Sequence, residues 1–170
     1  HRLPDNCIVI AAGNRTTDKS VAFKMPKALA NRLMHIEVEV SFDSWKAWAV
    51  KSGVHPKVVG FLDFKRDALM DFDAGSEELA FATPRSWEML SNVLNNVEDD
   101  FDVDTDEIFT LAAGLVGMGT AVEFHTWCKV YENLPDIKDI FGGRAVKVPR
   151  QPDELYALIS AMTAYASLHR

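Results

Sequence analysis

Three polar side chains in this 170-residue sequence occupy positions from which they could contact a phosphate group: Asn14, Arg32 and Arg85. A side-chain amide can orient a water molecule, and a guanidinium binds phosphate oxygens through a planar fork of N–H donors. Asn14 follows an apolar run, and open α/β sheets bind ligands just beyond the carboxyl ends of such strands. Arg85 falls in the first turn of a predicted helix, whose positive dipole end favours an anion. Together they suggest nucleotide sensing; the alternatives are a plain turn residue at position 14 and a solvated surface arginine at position 32.

Two strands and one short helix are predicted to position the first two of these residues. Residues 7–12, CIVIAA, form the continuous apolar run that is typical of a strand buried on both faces of a parallel sheet. Residues 34–41, MHIEVEVS, alternate apolar and polar side chains, which predicts a half-buried edge strand. Residues 27–33 follow Pro26 and predict a short helix, so Arg32 precedes the second strand directly. Two strands cannot form a stable sheet alone, so the remaining strands must come from elsewhere.

Helices are predicted from residue 42 onward. Asp43 and Ser44 can cap the first, Pro56 begins the second, and Thr83 with proline after it begins the helix that carries Arg85. Residues 108–130 are apolar nearly all round and predict one long buried helix. The apolar positions with helical spacing are Trp45, Trp48, Ala49, Val58, Val59, Phe61, Leu62, Trp87, Leu90, Leu94, Val97, Leu155, Leu158, Ile159 and Met162. The predicted fold class is therefore α+β, mostly α.

The composition excludes several classes of protein. With 48% hydrophobic and 25% charged residues, the sequence has the balance of an ordinary globular domain and contains no predicted bilayer span. A formal net charge of -7 has the wrong sign for a general nucleic-acid binder, so neither nucleic acid nor a membrane is an expected partner. The only cysteines are Cys7 and Cys128, which form no disulfide framework and favour a reducing, cytoplasmic location.

Three further motifs predict no cofactor site of their own. Residues 114–120, GLVGMGT, come close to a phosphate-binding loop, but Thr120 stands where the lysine should be, so packing through small residues is the interpretation. The alternating aspartates of residues 100–106 lack the glycine and the glutamate of an EF-hand loop. His125 and Cys128 form a single pair with no second pair to complete a zinc site. No metal site is predicted.

Three segments carry a resemblance to a known family. VIAAGNR (residues 9–15), MPKALANRLMHIEV (residues 25–38) and FATPRSWEML (residues 81–90) resemble, in order and spacing, the second half of MoxR-like AAA+ ATPases. The resemblance implies that Asn14 is sensor 1 and orients the attacking water, and that Arg32 is the arginine finger of a neighbouring subunit's site. It implies that Arg85 is sensor 2 and contacts the nucleotide phosphates.

The resemblance also implies a domain organisation. Residues 1–41 would be the last part, with the final strands, of the α/β nucleotide-binding core, and residues 42–170 the α-helical lid with a C-terminal extension. In this family a Walker A loop and a Walker B strand hold ATP and Mg²⁺. Both lie upstream of sensor 1 and neither occurs in this sequence. The expectation is therefore the C-terminal part of a longer ATPase, inactive as an isolated fragment.

The family resemblance implies the partners as well. Its members form rings, here expected to be a hexamer, remodel protein clients, and often work with a protein that carries a von Willebrand factor A domain. Two other interpretations remain open. One is a non-catalytic helical interaction or regulatory module, and the other is a calcium-sensing helical protein built on residues 100–106.

Overall fold

The structure, a computed structural model, describes residue 4 and residues 6–13, 25–97 and 105–168. The described residues are mostly helical. Eight α-helices and one 3₁₀ turn occur in them: α1 (Lys27–Ala30), α2 (Phe42–Lys51), α3 (Pro56–Phe64), the 3₁₀ turn (Arg66–Leu69), α4 (Pro84–Val97), α5 (Thr105–Val116), α6 (Met118–Glu132), α7 (Ile137–Phe141) and α8 (Pro152–Leu168). The chain divides into two compact units. Unit 1 takes its described residues from His1–Val38 and Asp73–Ser76, and unit 2 from Glu39–Phe72 and Glu77–Arg170.

Neither predicted strand is present in the described residues, so the α+β prediction is wrong for this part of the chain and an all-α description replaces it. The physical reason is the lack of a neighbouring strand, because a strand is defined by the backbone hydrogen bonds that it makes to a partner. Within residues 7–12, the one backbone hydrogen bond to another described residue runs from the Cys7 N–H to the Pro4 carbonyl, 3.1 Å. Ile8 and Ile10 are each 88% exposed and Val38 is 92% exposed, so these apolar side chains have nothing to pack on in this structure.

Unit 1 contains the short helix α1 and little apolar packing. The Pro26 carbonyl accepts hydrogen bonds from the Leu29 and Ala30 N–H groups, both 3.0 Å, and this starts the helix. The helix ends at Ala30, three residues earlier than predicted, and none of its side chains is buried. Arg32 follows in the turn after it.

The starts of α2 and α3 in unit 2 are set by local caps. Ser41 Oγ accepts from the Ser44 N–H at 3.4 Å, so α2 begins at Phe42 and its cap is Ser41 rather than the predicted Asp43 or Ser44. Helix α3 begins at Pro56 as predicted, and the buried His55 caps it by accepting from the Lys57 N–H through Nδ1, 3.2 Å.

The predicted long helix over residues 108–130 is wrong, because Gly117 divides it into α5 and α6. Gly117 has φ 87° and ψ 155°, a backbone conformation open essentially to glycine alone. The two helices fold back into a hairpin that brings His125 Nε2 within 3.2 Å of Asp106 Oδ1. The predicted packing through small residues of 114–120 holds at Gly117, where a Cβ atom would lie 2.8 Å from the Ala80 carbonyl oxygen. It does not hold at Gly114 or Gly119, where a Cβ atom would meet nothing within 4 Å.

The core of unit 2 is built around four aromatic side chains from α3, α4 and α6. The Phe61 ring lies 5.5 Å from Trp87, 5.4 Å from Phe124 and 6.3 Å from Trp127, and the Trp87 and Phe124 rings are 5.4 Å apart. These tilted and edge-on arrangements are the ones that aromatic quadrupoles prefer. Fully buried side chains surround the four rings, among them Val58, Leu62, Leu69, Leu90, Leu94, Ile108, Val116 and Cys128. Helix α4 is therefore held rigidly in unit 2.

Candidate functional site

The start of α4 is the best-defined candidate site, because reciprocal hydrogen bonds hold its first turn. Thr83 Oγ1 accepts from the Ser86 N–H at 3.0 Å, and Ser86 Oγ accepts from the Thr83 N–H at 2.8 Å. Ser86 Oγ also donates to the Phe81 carbonyl at 3.1 Å. This is a capping box in which serine takes the place of the usual glutamate or glutamine. With Pro84 between them, the two side chains fix the backbone on which Arg85 sits.

The orientation of Arg85 follows from the anchoring of Trp87. The Trp87 indole donates from Nε1 to the Ala68 carbonyl at 2.8 Å, and its side chain is fully buried. Successive residues of an α-helix are rotated by about 100° around its axis, so two residues that are two positions apart lie on nearly opposite faces. Arg85 is accordingly exposed to solvent while Trp87 points into the core. The sequence prediction of Thr83 as the cap and Pro84 as the first helical residue is confirmed.

The charge of Arg85 is uncompensated in this part of the structure. The first turn of α4 contains no acidic residue. Arg85 forms no ion pair within the described residues, and neither does Glu88, the acid one turn further along the same helix. A cation at the positive end of a helix dipole is electrostatically unfavourable, whereas an anion there would be stabilised by both the dipole and the guanidinium. This combination of charge and position suits a bound phosphate.

Arg32, the second predicted site residue, lies in the turn that follows α1. The Arg32 N–H donates to the Leu29 carbonyl at 3.0 Å, and its exposed side chain forms no ion pair with another described residue. It belongs to unit 1, and Arg85 belongs to unit 2. Asn14 lies outside the described residues.

A metal ion needs a set of ligating side chains that lie close together. The described residues contain no group of three or more histidine, cysteine or acidic side chains placed to bind a metal ion. Cys128 is fully buried in the core, whereas the neighbouring His125 pairs with Asp106 on α5. The aspartates at positions 100, 102 and 104 lie outside the described residues. Of the three predicted site residues, Arg32 and Arg85 are the two that lie in the described part of the chain.

Sequence reasoning missed two features, and for different reasons. Ser86 could have been found, since a serine or threonine three residues after the cap is a local signal. The ion pair between Lys65 and Glu123 could not, because its members are 58 residues apart. The hydrogen bond to Glu123 raises the pKa of Lys65 above its ordinary value, and the negative charges of Asp67 and Asp71 act in the same direction.

Comparisons with known proteins identify no relative. The chain matches no protein-family model, no curated protein and no solved structure. Among the described helices, none is both long enough and apolar enough to cross a bilayer.

Proposed function

We propose that this chain is the C-terminal, lid-bearing part of a MoxR-like AAA+ ATPase, in which Arg85 binds the phosphates of ATP. The observation that carries the proposal is that the backbone of Arg85 is held at the start of α4 while its side chain has no ion-pair partner among the described residues. The capping box of Thr83 and Ser86 positions it, and the buried Trp87 keeps it facing solvent. The first turn of α4 contains an arginine and no acid, so its positive dipole end and the guanidinium would both stabilise a bound anion.

In this proposal the enzyme hydrolyses ATP, with Mg²⁺ and the phosphate cradle supplied by Walker motifs outside this chain. Arg85 binds the phosphates from the lid, Arg32 reaches into the neighbouring subunit's site, and Asn14 orients the attacking water. Each group acts through position and charge, because phosphoryl transfer needs electrostatic stabilisation more than covalent help. An arginine supplied by a neighbour is worth on the order of 10³ to 10⁵ in rate in related GTPases.

The fold gives this proposal a mechanical consequence. Because the indole of Trp87 is bonded to the Ala68 carbonyl and packed on Phe61 and Phe124, Arg85 cannot move far without moving α4 and the core behind it. Loss of the γ-phosphate would therefore displace the helical unit as a body, which is a ligand-driven switch between two arrangements. That displacement would act on a protein client. We propose a cytoplasmic ring, a hexamer, and a von Willebrand factor A domain protein as a partner.

The experiment begins with the gene upstream of the codon for His1. If the reading frame encodes a strand followed by G-x-x-x-x-G-K-[ST] and an acid-terminated strand, the full protein is expressed and its ATP turnover measured. Arg85→Ala is expected to lower kcat at least 100-fold, the loss typical of one charge-stabilising donor. Arg32→Ala is expected to lower it at least 1,000-fold, on the scale of an arginine finger.

The matched control is Arg150→Ala, which removes another exposed arginine without an ion-pair partner in the described residues. Its kcat should equal that of the unsubstituted enzyme. An unchanged kcat in Arg85→Ala, with the helical content intact, would remove Arg85 from the site. The same result for Arg32→Ala would remove Arg32.

The second candidate is a non-catalytic helical interaction module. The observation in its favour is that unit 2 has its own buried core, formed around Phe61, Trp87 and Phe124 by helices of this chain. A start codon beside His1 with no Walker motif would select this candidate.

A further inference from the structure

An apolar groove opens on the surface of unit 2 between α3, α6 and the start of α8. It has a volume of about 380 Å³ and is lined by apolar side chains that include Phe61, Phe64, Val122 and Trp127. The Phe64 ring stacks on Trp127 at 5.4 Å, with 25° between the ring planes. Phe64 and Val122 nevertheless remain 49% and 50% exposed. Both apolar side chains are therefore half exposed at the same groove, and covering them with another apolar group would be favourable.

A second groove, of about 370 Å³, shares Lys65 and Glu123 with the first. These two residues form the ion pair that joins the end of α3 to α6. The second groove is polar, and Asp67 and Asp71 lie along it with Thr120. The two grooves are therefore neighbouring halves of one surface, which we call the α3–α6 cleft, with the ion pair between them.

The charges of the α3–α6 cleft are unbalanced. Lys65 is its sole lining cation among the described residues, and Glu123 already pairs with it. The carboxylates of Asp67, Asp71 and Asp153 form no ion pair with any described residue. An occupant that complements this surface carries positive charge next to an apolar side chain.

We propose that the α3–α6 cleft binds a segment of another protein in which a large aliphatic or aromatic side chain is flanked by lysine or arginine. The apolar side chain covers Phe64 and Val122, and the basic side chains meet Asp67 and Asp71. The volume of each groove lies near the lower end of the range for small-molecule sites, and each groove is open to solvent. This shape suits the side chains of a protein segment better than a small molecule that must be enclosed. A second copy of this chain fits less well, because two chains of net charge -7 repel. The proposal does not depend on ATP hydrolysis.

The test uses two labelled 12-residue peptides. The first has two leucines four residues apart and four lysines, and the second replaces each lysine by glutamate. Fluorescence anisotropy with the whole chain should show binding of the lysine peptide alone, with an affinity that falls as salt increases. Phe64→Ala should weaken that binding about tenfold, the effect of losing about 1.4 kcal/mol of apolar contact.

Further variants guard against unfolding and non-specific charge effects. Val122→Lys places a cation in the cleft without touching the buried core, and should weaken binding at least tenfold. The double variant Asp67→Asn, Asp71→Asn should weaken it several-fold and reduce its salt dependence. The control changes charge equally at two acids that line neither groove, Glu77→Gln with Glu88→Gln, and should leave binding as it was.

Three results would overturn the proposal. In the first, the glutamate peptide binds as well as the lysine peptide, or neither binds at millimolar concentration. In the second, the cleft variants behave like the control. In the third, the unsubstituted chain self-associates in sedimentation and Val122→Lys abolishes that association, which would make a second copy the occupant.

Discussion

Replacing Gly117 by alanine should destabilise unit 2 strongly, whereas the same change at Gly114, three residues earlier, should stabilise it. Gly117 has φ 87°, and a Cβ atom there would lie 2.8 Å from the Ala80 carbonyl oxygen. The obstacle is backbone, so no side-chain rotation can relieve the contact. At Gly114 a Cβ atom meets nothing within 4 Å, and the residue lies inside α5.

The two magnitudes follow from these environments. An alanine held at the Gly117 conformation costs about 1–3 kcal/mol in backbone strain. The displacement of the loop that contains Ala80 adds about 1–3 kcal/mol, as overpacking usually does. The free energy of unfolding should therefore fall by roughly 2–6 kcal/mol in Gly117→Ala. In Gly114→Ala it should rise by about 0.5–1 kcal/mol, since alanine is favoured over glycine in a helix interior.

Urea unfolding followed by far-ultraviolet circular dichroism measures both changes. In a chain of this size, about 1 kcal/mol corresponds to roughly 2–4 °C in Tm, so thermal unfolding should separate the two variants by at least 5 °C. A Gly117→Ala protein as stable as the unsubstituted chain would refute the assignment of a glycine-only turn between α5 and α6. It would favour the continuous helix that the sequence predicts over residues 108–130.

Two other changes test the electrostatics. Arg85→Gln removes a cation from the positive end of α4 and should raise the free energy of unfolding by about 0.3–1 kcal/mol at low salt, and by less in 1 M salt. Arg150→Gln is the charge-matched control. Changes in the free energy of unfolding that are equal in the two variants, or opposite in sign, would contradict an uncompensated charge at Arg85. For Lys65 and Glu123, a double-mutant cycle with Lys65→Met and Glu123→Gln should give about 0.2–1 kcal/mol at pH 7, because both side chains are partly exposed. Because the folded-state pKa of Lys65 is raised above 10.5, the stabilisation by this ion pair is fully present below pH 10.5 and is lost as the pH rises through the raised pKa. A coupling energy between Lys65 and Glu123 that persists in strong alkali would disprove the ion pair.

Most of the helical part could be predicted from the sequence, because helix starts and apolar faces are local properties. Pro56 marks the start of α3, and Thr83 with proline marks the start of α4. Helical spacing identified Trp87 and Leu90 as core residues, and both are fully buried. The same spacing was wrong at two positions, Trp48 and Ile159, which are 39% and 61% exposed, because periodicity does not say where a neighbouring helix ends.

The predicted strands failed for a physical reason of a different kind. Apolar alternation in residues 34–41 describes a surface that could pack in a sheet, but a strand forms only when another backbone pairs with it. The described residues supply no such partner. The division at Gly117 also escaped the pattern, since apolar residues continue on both sides of it and the loop at Ala80 is distant in sequence.

By itself, the sequence determined that Arg85 lies in the first turn of a capped helix, because the cap, the proline and the apolar stripe behind them are all within one segment. Only the tertiary structure decided that this side chain faces solvent without an ion-pair partner among the described residues. That outcome depends on Trp87 reaching the Ala68 carbonyl and on the absence of an acid near the helix start in the described residues. The α3–α6 cleft is likewise a product of tertiary structure, since it joins Lys65 to Glu123 across 58 residues, and no local pattern specifies which distant side chains will meet.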